Sequence, residues 1–67
     1  DSLLTEAITN FDKALAINSN YVPARYNRAL CLEEQGKVDL AAIEYKAILS
    51  SEPNYEPAIK ALNRLGR

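Results

Sequence analysis

The phrase Asn20-Tyr21-Val22-Pro23-Ala24 returns 34 residues later as Asn54-Tyr55-Glu56-Pro57-Ala58. The same offset pairs Ala7 with Ala41, Phe11 with Tyr45 and Leu15 with Leu49, so the register extends upstream of the first copy. A fixed internal period of about 20 to 50 residues signals stacked supersecondary units, none of which buries its apolar face alone. The chain is thereby restricted to a repeat architecture in which sequence neighbours complete one another's core.

Within that period the apolar spacing is helical. From Ser2 to Ile17, the residues Leu3, Leu4, Ala7, Ile8, Phe11, Ala14 and Leu15 recur at steps of three and four, one stripe on a helix. Asp1 or Ser2 is expected to cap it by accepting from amides that the first turn leaves unpaired. Asn18-Ser19-Asn20 then offers side chains that compete for backbone hydrogen bonds, and Pro23 suits the first turn of a second helix. That helix is expected over Pro23 to Gln35, closed by Gly36 in the left-handed conformation. The short Gly36-Lys37 connection turns a third helix, Val38 to Leu49, back antiparallel. Its apolar residues are too many for one stripe, so it is expected to pack on two sides. Ser50-Ser51-Glu52-Pro53-Asn54 makes the second break, and a fourth helix is expected over Pro57 to Leu65 with Gly66 as its stop. The expected fold is all-α, an antiparallel helix-turn-helix solenoid of four short helices.

Composition narrows the partners. With 48% apolar and 25% charged residues the chain has the balance of a packed globular protein rather than a disordered one. At 67 residues it buries only about 60% of the surface its unfolded form exposes, so each apolar face matters. A formal charge of −1 supplies no basic field to attract nucleic acid or an anionic membrane, and neither is expected as a partner. No stretch approaches the ~18 apolar residues of a membrane span, and no basic segment precedes an apolar one at the N-terminus. A soluble chain is expected, with a cytoplasmic location favoured. One cysteine, Cys31, and no histidine leave no disulfide framework and no zinc-type cluster, so no cofactor or metal is expected.

These residues resemble the tetratricopeptide repeat, a 34-residue unit with the pattern W-x2-L-G-x2-Y, then A-x3-F, then P. Ala41-x3-Tyr45 and Pro53 match its second half. The first half departs, with Arg25 at the Trp position, Arg28 at the Leu, Ala29 at the Gly and Leu32 at the Tyr. Ala and Leu suit their places by size, whereas the two arginines must lay their alkyl stems along the neighbouring helix with their heads in water. Upstream, Ala7-x3-Phe11 and the small Ala14 match a second helix, although Ser19 replaces the terminal Pro. The resemblance implies one complete repeat at 21–54, a second helix of a preceding repeat at 1–20, and a first helix of a next repeat at 55–67. Asn63 stands where a following helix would want Gly or Ala, which suits a capping helix instead. Ala7, Phe11 and Ala14 are expected to face a helix that the sequence does not contain. Either these residues belong to a longer array or another copy of the chain covers that face.

Nothing in the sequence points to catalysis. Cys31 lacks an imidazole to activate it and reads as a small core residue; Glu33 and Glu34, adjacent on a helix, diverge by about 100° and read as a solvated pair. The glycines are isolated, so no phosphate-binding loop is present. The functional surface is expected to be the concave face of a curved stack. In the resembled family that face is lined by the first helix of each unit, which here puts Tyr26, Asn27, Leu30 and Glu33 beside Lys60 and Arg64. Asn27 matches a first-helix Asn that hydrogen-bonds ligand backbone in peptide-binding members, a task suited to an amide that donates and accepts. Chaperone-adaptor members grip a carboxylate with Lys and Arg at places held here by Pro57 and Ala61, so that clamp is not reproduced. The expected function is a protein-interaction module that binds a peptide or partner segment. The alternative is a structural segment that extends or self-assembles a helical array.

Overall fold

The computed structural model describes the backbone of residues 2–67 and the side chains of residues 3–67. Four helices follow one another: α1 (Ser2–Ile17), α2 (Val22–Glu34), α3 (Val38–Ser51) and α4 (Glu56–Leu65). The expected cap of α1, Asp1 or the Ser2 side chain, lies outside the described residues.

The breaks follow from local chemistry. Asn18 Oδ1 accepts from the Asn20 amide at 3.1 Å, and the Asn18 carbonyl accepts from the Tyr21 amide at 3.1 Å. The corresponding second turn has the Tyr55 amide donating to the Glu52 carbonyl, also at 3.1 Å. Helices α2 and α4 each start one residue before their expected proline. The Tyr21 carbonyl already accepts from Arg25 and the Tyr55 carbonyl from Ile59, and a proline in the first turn costs no hydrogen bond.

Gly36 (φ 80°) and Gly66 (φ 72°) end α2 and α4 in the same way. In each, the glycine amide and the next amide fold back onto late helical carbonyls: Gly36 to Glu33 and Lys37 to Leu32, both at 2.9 Å, then Gly66 to Asn63 and Arg67 to Leu62. Helix α3 runs two residues further than expected. Ser50 and Ser51 point their hydroxyls back at the Lys46 and Ile48 carbonyls instead of competing with the helix.

Helix α1 packs on α2, α2 on α3, and α3 on α4. Their common core is Val22, Ala29, Leu32, Ala41, Tyr45, Ile48, Ala58 and Ala61, with Ile8, Tyr26, Leu49, Tyr55, Leu62 and Leu65 packed against it. Small residues at Ala29, Ala41, Ala58 and Ala61 let the helix backbones approach closely, while Tyr45 and Ile48 fill the remaining volume. Helices α2 and α4 lie on one flank, joined by the Glu33 and Arg64 side chains. The chain is all-α, as its periodicity implies.

Two expectations need correction, those for the arginine heads and for Cys31. The heads of Arg25 and Arg28 do not simply reach water. Both guanidinium groups converge on Glu44 of α3, Arg25 Nη1 at 2.7 Å from Oε1 and Arg28 Nη1 on Oε2, and Arg28 Nε reaches Asp12 of α1 at 2.7 Å. The Glu44 side chain is only 11% exposed, so a charged cluster fills space that the repeat pattern gives to apolar residues. Helix α3 does pack on two sides, but Leu40 and Ile43 stay 51% and 63% exposed. Cys31 is half-buried and lies outside the core cluster.

Candidate partner-binding groove

Between α2 and α4 a cavity of about 360 Å³ opens to solvent. Tyr26 of α2 forms one wall, and Glu56, Pro57, Lys60, Ala61 and Arg64 of α4 form the other. The α4 residues fall at steps of three and four, so one helical face supplies the whole wall. Tyr26 is held from behind, its ring 5.8 Å from that of Tyr45 and 6.0 Å from that of Tyr55 in tilted and edge-on arrangements. Such pairs add roughly 0.5–1.5 kcal/mol each beyond burial, which keeps Tyr26 in a defined place at the mouth.

The charges at this edge are coupled. Arg64 donates to Glu33 through two nitrogens, Nη1 to Oε1 at 2.7 Å and Nη2 to Oε2 at 3.1 Å. Glu33 also accepts from the Tyr45 hydroxyl, and its side chain is only 15% exposed. The Arg64 hydrogen bond holds the Glu33 carboxyl below the usual glutamate range, against the upward push of burial. Burial, and then the hydrogen bond to Glu33, push the Tyr45 phenol well above its ordinary value. Tyr45 is therefore a neutral donor at neutral pH.

Of the six residues expected on the concave face, Tyr26, Lys60 and Arg64 line this cavity, while Asn27, Leu30 and Glu33 do not. Asn27 is exposed and Leu30 half-buried on α2, and Glu33 sits behind Arg64 as its counter-ion rather than in a solvated pair with Glu34. Arg67, two residues beyond the end of α4, reaches Asp39 of α3 at 3.0 Å. Glu56, Pro57 and Ala61 complete the wall. Their signal in the sequence is their spacing from Lys60 and Arg64, together with the small side chain at Ala61. A second concavity, of about 310 Å³, is lined by Thr5, Glu6, Thr9, Asn10 and Lys13 of α1 alone, and one helix face encloses nothing.

Ala7, Phe11 and Ala14 are half-buried on α1, the helix that packs on α2. Among the described residues no three His, Cys, Asp or Glu side chains gather as a metal site, and no helix is long and apolar enough to cross a membrane.

No solved structure matches the chain. The family model for the tetratricopeptide repeat matches residues 3–65. Members of that family are in general protein–protein interaction modules with protein partners, and they are typically non-catalytic. The match runs through all four helices and the turn closed by Gly36, and the chain belongs to the tetratricopeptide repeat family.

Proposed function

We propose that the chain binds a peptide or partner segment in the groove between α2 and α4, and performs no chemistry of its own. The observation that carries this reading is the joint lining of one open cavity by Tyr26 of α2 and the Glu56-to-Arg64 face of α4. A preformed concavity with an aromatic wall and a few polar groups suits a segment that docks with little rearrangement. Residues 21–54 form the complete unit on this reading, and 1–20 and 55–67 are halves of its neighbours. Asn27 and Leu30 extend the contact surface along α2 beyond the cavity. Isothermal titration of segments taken from captured partners tests the proposal. Asn27→Ala and Lys60→Glu are each expected to weaken binding, and unaltered affinity in both variants removes the groove from consideration.

A second reading rests on a separate observation, the half-buried face of Ala7, Phe11 and Ala14 with Leu3 and Ile17 exposed nearby. Here the segment extends or self-assembles an array, and another copy covers α1. Sedimentation across a concentration series separates the two: a mass that rises with concentration and falls to the monomer in Phe11→Asp supports assembly. A constant monomer mass opposes it.

A further inference from the structure

Building on the groove reading, we infer that the cavity takes a partner segment bearing one acidic and one basic side chain two residues apart in an extended strand, in preference to an acidic segment. Counting cations on α4 suggests an anion site, but the geometry removes Arg64 from the count. Its guanidinium is held bidentately by Glu33 at 2.7 and 3.1 Å. A ligand carboxylate that took Arg64 would leave the mostly buried Glu33 with the Tyr45 hydroxyl as its remaining donor, an outcome that buried polar groups resist.

The charges left in the lining are the Lys60 ammonium and the Glu56 carboxylate. Both are exposed, and neither has a hydrogen-bond or ion-pair partner among the described residues. They lie four residues apart on α4, so their Cβ atoms are about 5–6 Å apart on one face. In an extended strand, side chains that share a face are two residues apart and separated by roughly 6.6 Å. The spacings correspond, with an acidic side chain over Lys60 and a basic one over Glu56. The apolar surface of Pro57, Ala61 and the Tyr26 ring receives an uncharged neighbour. A doubly acidic segment would instead set one of its carboxylates against Glu56. The pairing is particular to α4, because the corresponding places on α2 are Val22 and Tyr26.

A phage-displayed random heptapeptide library selected on the immobilised 67-residue chain tests this, with affinities of the enriched peptides then read by fluorescence anisotropy. Enriched peptides are expected to carry Asp or Glu two positions from Lys or Arg. Lys60→Glu and Glu56→Lys should each weaken them about fivefold, as reversal of an exposed ion pair does. The double exchange should favour the same peptides with their two charges interchanged. Both positions are exposed, and circular dichroism verifies that each variant keeps its helix content. Enrichment of acidic pairs, or affinities indifferent to both variants, overturns the inference and leaves the groove standing. A failure of any peptide to enrich overturns the groove reading and this inference together.

Discussion

Ala7, Phe11 and Ala14 on α1 hold the same places in the 34-residue period as Ala41, Tyr45 and Ile48 on α3. The first three are half-buried, whereas the second three are each 0% exposed. Helix α3 has α2 on one side and α4 on the other, whereas α1 packs on α2. Equal sequence positions thus reach unequal burial, because in a linear stack the flanking helices, not the helix itself, decide how much of its stripe is covered. The polar positions differ as well. At the place of Asn10 on α1 stands Glu44 on α3, the residue on which Arg25 and Arg28 converge. Where α1 has the ring of Phe11, α3 has the hydroxyl of Tyr45, which donates to Glu33. Helix α3 is therefore tied to its neighbours by apolar burial and by charge, and α1 by one apolar side and the Asp12 contact with Arg28.

The largest test of this comparison is truncation of the matched aromatic pair. Tyr45→Ala should cost about 3–5 kcal/mol, against a total stability on the order of 3–10 kcal/mol for a chain of this size. Urea denaturation should find that variant largely unfolded. Phe11→Ala should cost only about 1–2 kcal/mol, since its side chain is partly exposed to water while that of Tyr45 is fully buried. Equal losses at the two sites would mean that α1 is covered as fully as α3 in solution.

Next in size is the charged cluster. Glu44→Ala should cost about 2–3 kcal/mol, at or below the range for broken buried pairs because both arginines keep partial contact with water. Asn10→Ala should stay within about 0.5 kcal/mol. Replacing the cluster with the residues found one period later on α4, as Arg25→Ile and Arg28→Leu together with Glu44→Leu, should restore stability or raise it. A triple variant as unstable as Glu44→Ala alone would show that the charges do more than fill space.

Smaller again is the acid limb. The Glu33 carboxyl is held below its unfolded value, so its contribution is complete above about pH 4.3 and is lost as the pH falls through the lower folded value. Thermal melts at pH 7 and pH 3 should therefore separate more for the unaltered chain than for Glu33→Gln. Tyr45→Phe, which gives α3 the ring of α1, should reduce that separation by removing one of the hydrogen bonds to the carboxylate. The smallest effect concerns the solvent side. Leu40→Glu with Ile43→Thr copies the residues of α1 at those places and should change stability by less than about 0.5 kcal/mol. A large loss would show that the two side chains are covered in solution.

The sequence by itself determined the four helices, their order and their stops. Apolar steps of three and four, two prolines in first turns and two glycines with positive φ act locally, so a linear reading captures them. It also indicated Tyr26, Lys60 and Arg64, which lie on the faces that α2 and α4 turn toward one groove. Contacts between residues far apart in the chain were decided by tertiary packing. Glu44 appears in the sequence as one more surface carboxylate, 19 residues from Arg25 and 16 from Arg28, and only the antiparallel return of α3 brings the three together. Glu33 and Arg64, 31 residues apart, meet only because α2 and α4 share a flank, and that meeting determines which cation of the groove remains free. The physical reason is range: backbone preference and capping act within a turn or two, whereas charge pairing and burial depend on whichever helix the stack sets alongside.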